Sequence, residues 1–382
     1  MSKKKKLFLV VSEDWSFWSH RLPLALSAID AGFEVTLYTK INHLEERINA
    51  EGIKVVNVNF SRSSKSPVID LLNIIKLARI FRKEKPDIIH NVALKTIFVS
   101  SIAAAITKNT IVINAFTGLG YVFSSNQLQA KTIRFFIKPL FRFLMKKKCF
   151  WTIFQNPDDM KLFEDLKLSS PKRSVLIRGS GVDTKEFLQT DDINEIPIVM
   201  LASRILWDKG IGEFVEAAKR INKENIEAKF ILVGDADAAN PMSIPASTLK
   251  QWSSEGYITW KGHSNNMPET LSSASIVCLP SYREGLPKIL LEAAAVGRAL
   301  VATDVPGCRE IVKNNENGIL VKLKDVESLY DALKLLISNK EMRQAMGQKS
   351  RKLVESELST DIINGQTLEL YETAYNNMLS LT

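Results

Sequence analysis

The sequence predicts an α/β protein made of two doubly wound, parallel-sheet domains. Three observations carry this. Short β-branched runs are apolar almost throughout, helical patterns separate them, and the series restarts after position 190. Length agrees, since 382 residues exceed the usual span of one hydrophobic core.

In the first half the strand candidates are "LFLVV" (7–11), "EVTLYT" (34–39), "KVVNVN" (54–59), "DIIHN" (87–91), "TIVINA" (110–115), "CFWTIFQ" (149–155) and "SVLIRG" (174–179). The second half supplies "IPIVMLA" (196–202), "KFILVG" (229–234), "YITWKG" (257–262), "SIVCLP" (275–280), "ALVATD" (299–304) and "GILV" (318–321). Between the two series "QTDDINEIP" reads as a linker. This gives domains over 1–190 and 191–360, followed by a helical pattern over 361–382. Ligands of open parallel sheets sit at the carboxyl ends of the strands, so the expected active site is an interdomain cleft.

Composition narrows the function classes. Hydrophobic content of 45% and charged content of 24% are those of a globular protein and exclude a disordered chain. Cys149, Cys278 and Cys308 show neither pairing nor ligand spacing, which points to a reducing compartment and no structural metal. No run approaches the ~18 apolar residues of a membrane span. The start, "MSKKKKLFLVVSEDW", mimics a signal peptide, but its short apolar core soon meets Glu13 and Asp14; it reads as a solubilising tail before a strand, and the protein as cytoplasmic. Residues 1–190 hold 30 Lys and Arg against 16 Asp and Glu, a net +14, whereas the remaining 21 and 26 give −5. One domain is therefore expected to meet something anionic.

The chemistry concentrates in "SYREGLPKILLEAAAVG" (281–297). A strand precedes it, "SYREG" is a turn, and a helix follows, with Pro287 suited to its first turn and Gly297 to its end. Free amides near Gly285, Leu286 and Lys288 make an anion site at the helix start. Glu284 lies in the loop, and Glu292 leans back toward the same ligand because helical side chains tilt toward the N-terminus. A cationic pair, Arg204 and Lys209 in "ASRILWDKG" (202–210), occupies another carboxyl-end loop, where a phosphate would be held.

The stretch "SYREGLPKILLEAAAVGRALVATDVPGCREIV" (281–312) resembles the retaining, nucleotide-sugar-dependent glycosyltransferases of family 4 (GT4), whose E-x7-E motif matches Glu284 and Glu292. "VGDADAANP" and "WKGHSNNMPETLSSASIVCLPSYREG" extend the likeness. "KPDIIH" (85–90), "FTGLGYVFS" (116–124) and "RGSGVDTKEF" (178–187) are similar to the branch that builds lipid-linked oligosaccharides and polysaccharide repeat units. The resemblance implies the GT-B fold of two Rossmann-like domains, with the C-terminal helix crossing back onto the first. It gives Arg204 and Lys209 the donor diphosphate, Glu292 the ribose hydroxyls, Glu284 the transferred sugar, and the amides of Gly285, Leu286 and Lys288 the sugar or phosphate. It implies a nucleotide sugar, UDP-linked in this branch, a polyprenyl-diphosphate-linked acceptor and no cofactor or metal; "DAD" (235–237) reads as a loop near the nucleotide.

Where many members have a glycine-rich loop after the first strand, this chain has "SEDWSFWSHRLPLAL" (12–26). Trp15, Phe17, Trp18, His20 and Arg21 are expected in a cleft-facing loop, with Arg21 a candidate for an acceptor phosphate and His20 for the donor sugar. Lys95 and Thr117 are further cleft candidates, and His90 packs in the sheet or serves the site. Residues 131–148, "KTIRFFIKPLFRFLMKKK", either lie in an anionic membrane interface on the inner face of the cell membrane or pack as an ordinary helix. Other readings are a sugar-nucleotide epimerase and a basic binder of membranes or nucleic acid. No strand carries G-x-G-x-x-G, which excludes a dinucleotide-dependent dehydrogenase, and no nucleic-acid motif appears, so no nucleic-acid partner is expected.

Overall fold

The computed structural model describes residues 4–60, 67–107, 110–118, 138–237, 240 and 242–380. The chain forms two units, Met1–Ser180 with Ile363–Thr382, and Gly181–Ile362. The first holds strands β1 (Lys6–Glu13), β2 (Glu34–Lys40), β3 (Lys54–Asn57), β4 (Ile88–Val92), β5 (Ile111–Phe116), β6 (Phe150–Phe154) and β7 (Ser174–Leu176). They pair in parallel in the order β3-β2-β1-β4-β5-β6-β7. The second unit holds β8 (Ile198–Ala202), β9 (Lys229–Val233), β10 (Thr259–Trp260), β11 (Ile276–Leu279), β12 (Ala299–Thr303) and β13 (Gly318–Val321), ordered β10-β9-β8-β11-β12-β13. Each strand falls on a stretch that the apolar runs predict.

Both sheets are buried on both faces, which is why their strands read as continuous apolar runs. Alternate residues of β1 enter different cores. Leu7, Leu9 and Val11 face one layer, and Phe8 and Val10 the other. In the second unit Val199 and Leu201 of β8 join one core, while Met200 and Ala202 join the opposite one.

Helix Thr360–Leu379 contributes Ile363, Leu370, Tyr371 and Ala374 to the layer that contains Leu7 and Leu9. Tyr371 also meets the sheet through its hydroxyl, 2.6 Å from Nδ1 of His90. His90 is therefore a sheet residue. Burial, and then the nearby Arg21 charge, push its pKa down to about 3, so the ring is neutral at physiological pH.

Two stretches singled out in the sequence lie as follows. Of the stretch 131–148, residues 131–137 lie outside the described ones. From 138 onward the chain packs Phe141, Leu144 and Met145 into the core with Phe8, leaving Phe143 exposed. Within residues 138–148, these three apolar side chains are thus taken up by the fold. The stretch "QTDDINEIP" is clamped rather than loose. Buried Asp192 pairs with Nε of buried Arg343 at 3.1 Å and accepts from the Ser275 hydroxyl at 2.8 Å. Upstream, Val182 and Phe187 pack into the core of the second unit with Met200.

Removing one member of a buried pair strands the other charge. Asp192→Ala is expected to lower the unfolding free energy of the second unit by about 3–5 kcal/mol, read by denaturant titration. A loss below about 1 kcal/mol, the range of exposed pairs, would show that Arg343 is compensated elsewhere.

Candidate active site

In the second sheet β8 and β11 are neighbours, and the strand order runs outward from them in opposite directions. Such a switch point leaves a crevice at the carboxyl ends, because the two following crossovers go to opposite faces. The loops after β8 and β11, residues 203–210 and 280–287, both open there.

These loops are locked together by backbone. Gly210 has φ +72°, and a Cβ there would lie 2.0 Å from the carbonyl oxygen of Pro280, so only glycine allows the approach. The amide of Tyr282 donates to the Asp208 carbonyl at 2.8 Å, and the Tyr282 hydroxyl to Glu213 at 2.7 Å. A third segment, the loop and short helix after β12, closes in from the other side. A Cβ on Gly307 would lie 2.4 Å from the Gly285 carbonyl oxygen and 2.8 Å from that of Glu284.

The result is an ion pair at the crevice. Lys209 Nζ donates to Glu284 Oε1 at 2.6 Å, with side chains 16% and 13% exposed. Arg204 lies exposed in the same loop as Lys209. Helix Lys288–Ala295 starts just beyond Glu284, with Pro287 as its N-cap and no capping side chain on its first amides. A helix start of this kind carries partial positive charge, which favours an anion beside it. On the same helix Lys288 pairs with Glu292 at 3.2 Å. Glu292 is buried, and burial raises its pKa, although the Lys288 charge partly opposes this. Asp235 and Asp237 sit exposed in the loop after β9.

In the first unit the expected loop after β1 is a helix, Asp14–His20. Asp14 holds it down by accepting from the amides of Asn42, His43 and Leu44 at 2.7, 2.9 and 3.1 Å. Burial raises the Asp14 pKa, but these bonds and the Asn42 amide outweigh it and leave the pKa well below the usual carboxylate range. Phe17 is fully buried, while Trp15 stays 42% exposed. His20 ends the helix half-buried, and Arg21 is buried. It is 6% exposed, donates through Nη1 to the Gly179 carbonyl at 3.4 Å, and has its pKa lowered by burial to about 10. Lys95, just after β4, pairs with Asp70 at 3.1 Å, and Thr117 is exposed after β5.

With this geometry described, comparison with known proteins decides the family. Residues 182–353 match the family described as Glycosyl transferases group 1, and residues 6–156 match Glycosyl transferase 4-like. This chain belongs to the GT4-type glycosyltransferases.

Relatives agree along the whole length. The N,N'-diacetylbacillosaminyl-diphospho-undecaprenol alpha-1,3-N-acetylgalactosaminyltransferase of Campylobacter jejuni is 28% identical over 378 residues, 95% of this chain and 97% of that one. The UDP-Gal:alpha-D-GlcNAc-diphosphoundecaprenol alpha-1,3-galactosyltransferase of Escherichia coli is 26% identical over 79% of each chain. Among solved structures, sucrose-phosphate synthase of Thermosynechococcus elongatus superposes with a TM-score of 0.81 at 18% identity, covering 98% of this chain and all of that one. HepE of Anabaena, solved with UDP and glucose, gives 0.76 at 15% over 97% of this chain and all of that one. The fold is GT-B, and the epimerase reading gives way to a transferase.

Within this glycosyltransferase, Arg204, Lys209, Glu284, Gly285, Leu286, Lys288 and Glu292 all fall in the group 1 match, on two neighbouring loops and the helix that follows the second. Sequence reasoning missed Gly307 and Tyr282, which hold the Glu284 loop from either side. The Pro-Gly step in "TDVPGC" directly after a strand was the available signal.

Two outcomes follow for this site. Gly210→Ala adds about 1–2 kcal/mol of left-handed backbone strain to the clash with Pro280. It is expected to lower the melting temperature and transferase activity together; an active, equally stable variant would show that the loops can separate. Glu292→Gln removes a buried carboxylate with a raised pKa. Such a group stabilises the fold below its unfolded pKa, and that contribution is lost as pH rises through the folded value. The stability of the variant relative to the native chain is therefore expected to increase as pH rises above the ordinary glutamate range, measured by denaturation across pH.

Proposed function

We propose that this glycosyltransferase moves a hexose or N-acetylhexosamine from a UDP-linked donor to a polyprenyl-diphosphate-linked sugar, with retention of anomeric configuration. The observation that carries the reading is the Lys209–Glu284 pair beside the start of helix Lys288–Ala295 at a sheet switch point. As the anomeric C–O bond breaks, negative charge grows on the leaving diphosphate. Arg204, Lys209 and the first amides of helix Lys288–Ala295 are preorganised cations and dipoles for it, the main lever such a site has. Glu284, held by Lys209, faces the positive charge that develops on the transferred sugar. No divalent ion is needed in this scheme, because the cations occupy its place.

The UDP assignment is supported by the donor named for the Escherichia coli relative and by the UDP and glucose in HepE. The acceptor assignment is supported by the undecaprenyl-diphosphate sugars named for both relatives. Among the described residues no helix is long and apolar enough to cross a membrane. The enzyme would then meet a lipid-linked acceptor from the cytoplasmic membrane surface.

Glu292 gives the donor site a pH signature. A carboxylate accepting bonds from ribose hydroxyls binds best when ionised, and its pKa in the unliganded protein is raised. Nucleotide affinity is expected to increase as pH rises through that value, and Glu292→Gln to flatten the profile.

The direct test is thermal-shift screening against UDP, GDP, ADP and their sugars with EDTA present. UDP is expected to stabilise the protein, and Glu292→Ala to abolish the shift. Stabilisation by GDP or ADP instead would replace the donor, and a shift that vanishes only with EDTA would require a metal. Lys209→Ala is expected to reduce kcat by about 100- to 1,000-fold, the usual cost of one charge-stabilising donor.

A further inference from the structure

We propose that the outward face of helix Pro67–Glu84 docks the enzyme on an anionic phospholipid surface. This rests on the lipid-linked acceptor reading, which requires the enzyme to work at a membrane, and it assigns the docking surface.

The helix buries Asn73, Leu77, Ala78 and Phe81 against the first sheet. On its other side Val68, Leu71, Leu72 and Ile75 are 65%, 56%, 60% and 39% exposed. Single exposed aliphatics are ordinary on a protein surface, but four at positions i, i+3, i+4 and i+7 form one continuous patch. The same face continues as Arg79, Arg82 and Lys83, all exposed. At helical spacing these seven side chains lie within an arc of about 120°. The acids of the helix lie off this arc and are paired inward, Asp70 with Lys95 and Glu84 with Lys6. The outer face is thus aliphatic for two turns, cationic for two turns, and free of carboxylates.

That combination selects the partner. A protein partner with an apolar groove would be served by the aliphatic half alone, and a polyanion by the cationic half alone. An anionic bilayer takes both, with aliphatics entering the acyl boundary and cations meeting headgroups. Topology puts the aliphatic half in a useful place. The helix crosses between parallel strands β3 and β4, so its N-terminal half lies at the carboxyl ends of the strands. The loops after β1 and β4, with Trp15 and Lys95, open at that same end.

The experiment is flotation of the full-length enzyme with phosphatidylcholine vesicles, with and without phosphatidylglycerol. Native protein is expected to float only with the anionic vesicles. Leu71→Asp with Leu72→Asp, both exposed, is expected to weaken flotation at least tenfold while keeping the melting temperature and transfer to an acceptor with a short, water-soluble isoprenyl chain. Arg79→Glu with Arg82→Glu is expected to weaken it by a similar factor, since each cation near such a surface counts severalfold. Native protein that stays unbound, or variants that float as well as native, would overturn the surface. Failure of the acceptor reading looks different: native protein floats, yet transfers sugar to no lipid-linked acceptor.

Discussion

The donor half of this enzyme depends on one close approach, the Cα of Gly210 lying against the carbonyl of Pro280. Parallel strand pairing alone brings β8 and β11 together but leaves the two following loops free to diverge. The glycine removes the one atom that would hold them apart, and Tyr282 adds bonds to Asp208 and Glu213. Lys209 is the residue directly before that glycine. Its ammonium therefore reaches Glu284 without a flexible backbone on either side, and most of the cost of ordering the pair is met by the fold.

The state of the charges before a donor arrives follows from this geometry. Lys209 with Glu284, and Lys288 with Glu292, leave the crevice with its carboxylates already matched by cations. The matching is unequal. Glu284 has a short bond to a half-buried partner, whereas Glu292 is more deeply buried and pays for it with a raised pKa. In the proposed donor site, hydroxyls of a bound ribose would relieve Glu292, and a diphosphate would compete for Lys209.

Much of this was legible in the sequence, for a physical reason. Strands buried on both faces must be apolar throughout, so all the strands of both sheets announce themselves, and residues that follow them are placed at the crevice by topology alone. Arg204, Lys209, Glu284 and Glu292 belong to that class. The pairing of Lys209 with Glu284 does not, because it joins positions 75 apart through a glycine contact that no local pattern encodes. The burial of Arg21 is hidden from the sequence for a similar reason. Its burial is set by Gly179 and by Tyr371 on the last helix, both far along the chain. The segment 14–20 is expected as a loop because it stands where many family members carry a glycine-rich loop after the first strand. Asp14 instead anchors it to 42–44 as a helix, with Phe17 turned into the core.

The same reasoning separates two aromatic or aliphatic surfaces of the first unit. Residues 138–148 carry a strong amphipathic signature, yet Phe141, Leu144 and Met145 are spent on the core, since a parallel sheet must be covered on both faces and this segment is part of the cover. Helix Pro67–Glu84 is also part of that cover, through Asn73, Ile74, Leu77, Ala78, Ile80 and Phe81. Its outer aliphatics add nothing to the fold, and on a purely aqueous protein they would invite self-association. The cations that continue the same face oppose that association through like-charge repulsion while leaving the face attractive to an anionic surface. A chain with net charge +9 can carry such a stripe at no cost in solubility only if the cations stay on it, which is where Arg79, Arg82 and Lys83 are found.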